Sequence, residues 1–133
     1  RINIPAPLRK QFLTKDKKTF VVTRGIDKCA WIYPINEWNF IQNELKQLSS
    51  LSKTNRIFLR NHLRHANILK FDSQGRFVLP QSLIDYSAIK KDVTIIGVLN
   101  KIEIWNPNLL RKIDQSDEID DQSYEELSER VNI

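Results

Sequence analysis

An α+β fold assembled from two copies of one small unit is what this 133-residue sequence predicts. The first observation behind it is an internal repeat. Arg76-Phe77-Val78-Leu79-Pro80-Gln81-Ser82-Leu83 echoes Arg1-Ile2-Asn3-Ile4-Pro5-Ala6-Pro7-Leu8, each reading R, apolar, x, apolar, P, x, x, L. Further along, Ile26-Asp27-Lys28 and Pro34 find matches in Leu99-Asn100-Lys101 and Pro107. The second observation is a pair of short β-patterned runs in each copy, joined by a tight turn. The third is the helical spacing that follows each pair. A repeat of this kind changes the expected fold, because one copy is too small to bury a core alone. At this length the two copies make a single compact domain.

The elements follow in order. Arg1–Ile4 and Phe20–Thr23 read as strands, and the turn Gly25–Lys28 leads into a strand over Cys29–Tyr33. Asn36 is placed to cap a helix whose apolar positions are Trp38, Ile41, Leu45 and Leu48. The polar run Ser49–Ser52 breaks it, and a second helix is expected over Lys53–Asn67, burying Phe58, Leu59, Leu63 and Ala66. The unit then recurs, with a strand at Ile68–Phe71, a tight turn at Asp72–Gly75 and a strand at Arg76–Leu79. Pro80 ends that strand and opens a short helical turn to Tyr86. Asp92–Val98 and Lys101–Trp105 make a hairpin around Leu99-Asn100. Asn106-Pro107 is a cap with proline at the first helical position, starting a helix through Ile113.

Charge is divided along the chain. Residues 1–113 hold 20 Lys and Arg against 8 Asp and Glu, whereas residues 114–133 hold one base, Arg130, and 8 acids. A basic body points to a polyanion partner. The tail is Ser-, Gln-, Asp- and Glu-rich and is expected to be disordered, or at most a short helix near Tyr124–Val131. It reads as a solubilising terminus, with competition against a polyanion for the basic surface as the sharper alternative. No run of about 18 apolar residues suggests a membrane span. One cysteine, Cys29, has no partner for an internal disulfide, which suits an intracellular protein.

Asp72–Arg76 is the most chemically pointed segment. An aspartate at the first turn position accepts local backbone N–H bonds. Gly75 supplies positive φ at little cost, and Arg76 stands four residues from Asp72, where a carboxylate–guanidinium pair locks the loop. Ser73 and Gln74 then project from a stiff tip. The plain reading is a hairpin closed by an ion pair. The functional reading is a tip that offers Arg to a guanine edge and Gln to an adenine edge.

These residues resemble a known family. The D-x-x-G-R turn running into apolar-x-apolar-P-x-x-L is similar to MraZ, as are Thr23–Cys29, Tyr33-Pro34-Ile35-Asn36-Glu37-Trp38 and Ile96–Trp105. MraZ is the transcriptional regulator of the bacterial division and cell wall cluster. The resemblance covers nearly all of residues 1–113. It implies an α+β fold of two tandem swapped-hairpin half-domains of the AbrB/SpoVT type, paired about a pseudo-twofold axis in a β-barrel-like core with peripheral helices. The implied organisation is a first half at 1–52, expected to be N-terminally incomplete, a second half at 53–113 with its leading helix, and the acidic tail at 114–133. The resemblance further implies a ring-shaped homo-oligomer that binds direct repeats in double-stranded DNA upstream of its own operon, working in the cytoplasm at the nucleoid. The family's D-x-x-x-R signature falls on Asp72, Gly75 and Arg76, and its first copy is represented by Arg1. Where the family often carries Lys before the glycine, Gln74 stands here, which shifts the contact from phosphate to base. The expected DNA-binding residues are Arg1, Asp72, Ser73, Gln74, Gly75 and Arg76, with Lys28 and Lys101 in the matched hairpin turns as backbone contacts.

The remaining features read more plainly. Arg56, Arg60 and Arg64 form one helical stripe, solvated or facing an interface. His62 and His65 share a helix face without the further ligands a metal site needs. Trp31, Trp38 and Trp105 read as core or subunit-interface residues, and Cys29 as a small buried hydrophobe. No glycine-rich phosphate loop or activated Ser or Cys nucleophile is legible, so no enzyme, cofactor, metal or small-molecule substrate is expected. The alternative function is an antitoxin-like protein-interaction module.

Overall fold

A computed structural model describes residues 1–12 and 19–133. In order, it contains β1 (Ile2–Asn3), α1 (Ala6–Phe12), β2 (Thr19–Arg24), β3 (Ala30–Pro34), α2 (Ile35–Leu45), α3 (Lys53–Arg64), β4 (Asn67–Lys70), β5 (Arg76–Phe77), α4 (Gln81–Ser87), β6 (Thr94–Val98), β7 (Lys101–Trp105), α5 (Pro107–Ser116) and α6 (Asp121–Arg130). The mixed α+β architecture agrees with the expectation: two sheets and six helices among the described residues. The element sequence strand, helix, strand, strand, helix runs through β1–α2, omitting none, and again through β5–α5.

The larger sheet has the order β4-β2-β3-β7-β6, all antiparallel, and the smaller pairs β1 with β5. Every sheet contact except the two hairpins therefore joins a strand from before residue 53 to one from after it. The central strands β2 and β3 are buried on both faces, which explains their near-continuous apolar runs. On one face Phe20, Val22, Ile32, Leu83 and Ile104 form a core with Ile2 and Phe77 of the small sheet and with Ile4 just after it. On the other, Val21, Trp31, Tyr33, Trp38 and Trp105 form a second core under α2, α3 and α5. The Glu103 carboxylate accepts one hydrogen bond from each of two indoles, Trp31 Nε1 and Trp105 Nε1, both at 3.0 Å. The tryptophans are thus core residues, as expected. Cys29 is fully buried, and burial, with the nearby Glu103 and Asp27 carboxylates, pushes its thiol up to about 12.

Two helices differ from expectation. The cap of α2 is Pro34, at φ −61° and ψ 155°, and Asn36 lies in the first turn without capping it. Proline's fixed φ both ends β3 and sets up the helix that starts at Ile35. The helix also stops at Leu45, so Leu48 falls outside it. Helix α3 ends at Arg64 and is rotated from the expected face: Phe58 and Leu63 are exposed and His62 is buried. Its N-cap is Ser52, whose Oγ accepts the Asn55 N–H at 3.2 Å. The rotation is fixed by His62, whose ring stacks on Phe58 and sits against Trp31 and Trp38, while its carbonyl accepts the buried Thr23 hydroxyl at 2.6 Å. Burial holds the His62 imidazole below its ordinary pKa, in the neutral form that suits an aromatic nest.

At α5 the reading holds: Asn106 Oδ1 accepts from the N–H groups of Asn108 and Leu109, with Pro107 in the first turn. Within the acidic tail the structure places α6, capped by Asp120 through the Ser123 N–H at 2.7 Å. No helix is long and apolar enough to cross a membrane among the described residues.

Candidate nucleic-acid interface

The Asp72–Arg76 turn is where the chain leaves the large sheet for the small one. Its flanking strands pair with different neighbours: β4 with β2, and β5 with β1. The expected hairpin is therefore a crossover between sheets. The reason is Phe71 and Phe77, which bracket the turn and pack on Phe20 with ring centroids 4.2 and 5.0 Å away. That apolar anchor holds both ends of a five-residue polar loop.

Inside the loop, Asp72 organises the backbone. Its Oδ1 accepts the N–H groups of Gln74 at 2.8 Å and Arg76 at 2.9 Å. Its Oδ2 takes the Arg76 Nε at 3.1 Å. Two backbone bonds close the turn, from Asp72 N–H to the Arg76 carbonyl at 2.8 Å and from Gly75 N–H to the Asp72 carbonyl at 3.0 Å. The Arg76 amide N–H, followed by that of Gln74 and the Arg76 guanidinium, holds the Asp72 carboxyl below the ordinary carboxylate range. The carboxylate therefore stays ionised and keeps the clamp shut. Arg76 spends only Nε on it; its two terminal amino groups make no hydrogen bond among the described residues. That leaves the planar fork able to bind a guanine edge or a phosphate bidentately. Ser73 and Gln74 are exposed at the tip.

Gly75 has two reasons to be glycine. It sits at φ +77°, and a Cβ there would collide with the Arg9 guanidinium. Arg9, from α1, thus rests directly on the backbone of the turn, with its Nε buried and without a hydrogen-bond partner among the described residues. A Gly75→Ala substitution is expected to cost about 1–3 kcal/mol from the left-handed backbone alone, with the Arg9 contact adding to it. Denaturant unfolding checks this, and an Arg9→Ala background should return the steric part but not the backbone part.

Other expected site residues are dispersed. Asn3 pairs with Arg76 and Ile2 with Phe77, so Arg1 lies at the end of this small ribbon away from the turn. Because Thr19 pairs with Lys70 and Ile32 with Ile102, the Lys101 hairpin shares the turn's end of the large sheet, whereas Lys28 lies at the opposite end. Both lysines rest on aromatic rings. Lys28 Nζ is 4.5 Å from the Tyr86 centroid, a ring that Arg24 also approaches at 4.1 Å, and Lys101 Nζ is 4.7 Å from that of Trp31. The Tyr86 hydroxyl fixes the Lys28 loop by donating to the Gly25 carbonyl at 2.9 Å. Sequence reasoning missed Arg9 and Arg24. The available signal for Arg9 was a break in the repeat, where the second copy carries Ile84 at the matched position.

Comparison with known proteins bears on the repeat. A family model described as "MraZ protein, putative antitoxin-like" matches residues 1–61 and again residues 62–131. The "Transcriptional regulator MraZ" of Natranaerobius thermophilus is 38% identical over 131 residues, covering 98% of this chain and 87% of that protein. Its namesake from Clostridium botulinum strain Eklund 17B is 39% identical over 132 residues, covering 99% and 87%. That of Pediococcus pentosaceus is 34% identical over 131 residues, covering 98% and 87%.

Proposed function

The chain belongs to the MraZ family, and from that premise we propose that it is a sequence-specific DNA-binding transcriptional regulator that reads double-stranded DNA with the Asp72–Arg76 turn. The observation that carries this reading is the clamp itself: a five-residue turn with Ser73 and Gln74 exposed at its tip, held rigid by three bonds to one carboxylate, with the Arg76 fork left unspent. Rigid presentation lowers the entropy cost of binding, and the basic body of residues 1–113 supplies the attraction to phosphate. Arg9 and Arg76 flank the tip, Arg1 adds a contact just beyond the small ribbon, and Lys28 adds one from the opposite end of the large sheet. Lys101 contacts the DNA backbone from the turn's end of the large sheet. Nothing in this role calls for catalysis.

The finer reading is a repressor of the bacterial division and cell wall operon, acting at the nucleoid. The two halves act as swapped-hairpin units about a pseudo-twofold axis within a barrel-like core. This arrangement is supported by the repeated element sequence and by the β1–β5 and β3–β7 pairings, each between matched strands. Copies assemble into a ring and bind direct repeats upstream of the operon. One tip makes few contacts, so several copies on several repeats raise avidity through effective concentration.

Binding of the full chain to duplexes from its own upstream region tests this. Affinity should rise steeply from one repeat to several, and log K should fall linearly with log salt at a slope of about −0.9 per phosphate contacted. Equal affinity for one repeat and several would refute the ring-on-repeats reading. The family description's word "antitoxin-like" favours a second reading, a protein-interaction module. Co-purification of a stoichiometric small protein, with no preference for upstream DNA, would replace the first reading with the second.

A further inference from the structure

The β6–β7 hairpin ends in a two-residue turn, because Val98 pairs with Lys101 and leaves Leu99 and Asn100 at the tip. Positive φ falls on Leu99, at 54°, and not on Asn100. Turns of that kind take glycine at the first position, where a Cβ crowds the backbone. Leucine there stores strain, and its side chain is 104% exposed, so burial does not offset the strain. The other non-glycine residues with positive φ among the described residues, Ala88 and Asn132, stand at helix C-termini, where this conformation is ordinary.

The first copy of the repeat makes the same turn differently. Its loop runs from Gly25 to Cys29 between the paired Arg24 and Ala30. The Gly25 N–H closes it on the Cys29 carbonyl at 2.8 Å, and the matched Ile26 lines a cavity beside α3. The second copy is shorter, and its apolar residue is left pointing into solvent.

Position gives Leu99 a use. β4 runs toward the Asp72–Arg76 turn alongside the start of β2, and the hairpin tip leaves the large sheet at that same end. In the order β4-β2-β3-β7-β6 the tip stands three to four strand spacings from β4, about 14–19 Å at roughly 4.8 Å each. Half a turn of B-DNA is about 17 Å. A duplex that offers its major groove to the turn therefore offers the adjacent minor groove to the tip. Lys101 and the exposed Lys70 supply positive charge at this end.

We propose that Leu99 is an apolar wedge that enters the minor groove and partly unstacks one base step. Minor-groove proteins insert leucine in this way and kink the duplex. A side chain held clear of the protein on a stiff turn suits insertion, and Lys101 reaches the flanking phosphate. Pyrimidine–purine steps unstack most easily, so the wedge adds specificity at a position the Asp72–Arg76 turn never touches. The proposal rests on the DNA reading above. A protein partner suits the tip less well, because a single leucine beside a lysine forms no apolar patch.

Duplexes from the upstream region carrying 2-aminopurine at successive positions test this with the full chain. Wild-type protein should raise the fluorescence at one step, about half a helical turn from the bases that Arg76 protects. Leu99→Gly and Leu99→Asn both tolerate positive φ. Each should abolish that rise and weaken specific binding about tenfold or more. Leu99→Gly should melt no lower than the wild type, so its lost binding would not come from lost folding. Unchanged affinity and fluorescence in both variants, with specific binding still lost in Arg76→Ala, would overturn the wedge and leave the DNA reading standing. A wild type that binds with every step still stacked would do the same. A wild type with no preference for the upstream duplex would overturn both.

Discussion

Replacing Arg76 with alanine is expected to abolish sequence-specific DNA binding while leaving the protein folded. The guanidinium uses one nitrogen to hold Asp72, and the other two, without a hydrogen bond among the described residues, are the ones proposed to read a base edge. A good bidentate contact is worth about 1–3 kcal/mol of discrimination, or roughly 5- to 150-fold per copy. In the proposed assembly on several repeats that loss would compound. Stability should change little, because the Arg76–Asp72 pair is more than a third exposed on both sides and exposed pairs contribute about 0–1 kcal/mol. Arg76→Lys separates geometry from charge. It should keep salt-dependent, non-specific binding yet lose preference for the repeat, since an ammonium cannot form the planar two-point contact. Competition binding with specific and scrambled duplexes reads both variants, and thermal unfolding confirms that they fold.

A second large effect is expected at Phe20, where truncation to alanine should leave little folded protein. Its ring is fully buried in β2, and both the Phe71 and Phe77 rings pack on it. These three aromatics are the point at which the large sheet, the crossover turn and the small sheet meet. Phe→Ala in a core typically costs about 3–5 kcal/mol, a large share of the roughly 5–15 kcal/mol that holds a domain together. Phe20→Leu keeps most of the volume and should cost under about 1.5–2 kcal/mol. That milder variant should still loosen the turn, because the ring that anchors both of its ends is gone. Chemical denaturation measures the first effect, and amide exchange over residues 72–76 measures the second.

The parts of this molecule that were legible in the sequence are those fixed by local chemistry. The Asp72–Arg76 clamp is closed by groups two and four residues apart, so the spacing of Asp, Gly and Arg was enough to predict it. The Asn106-Pro107 helix start is equally local, and the repeat announced that the same elements would recur. Contacts across long sequence distances were hidden. Arg9 meets Gly75 through a packing of α1 on the turn that no spacing rule reveals. The α3 face was misjudged because histidine counts as polar in a hydrophobic pattern. Yet His62 is buried among Phe58, Trp31 and Trp38, turning Phe58 and Leu63 outward. Likewise, an aspartate-glycine turn between two apolar runs reads as a hairpin. Only the pairing of β4 with β2 and β5 with β1 makes it a crossover.

Hydrogen exchange of the full chain with and without its upstream duplex tests the central claim most directly. Slowed exchange of the amides from Ser73 to Arg76 on DNA addition, lost in Arg76→Ala, is the result predicted. Unchanged exchange across that turn, with protection confined to α3 or α6, would contradict it.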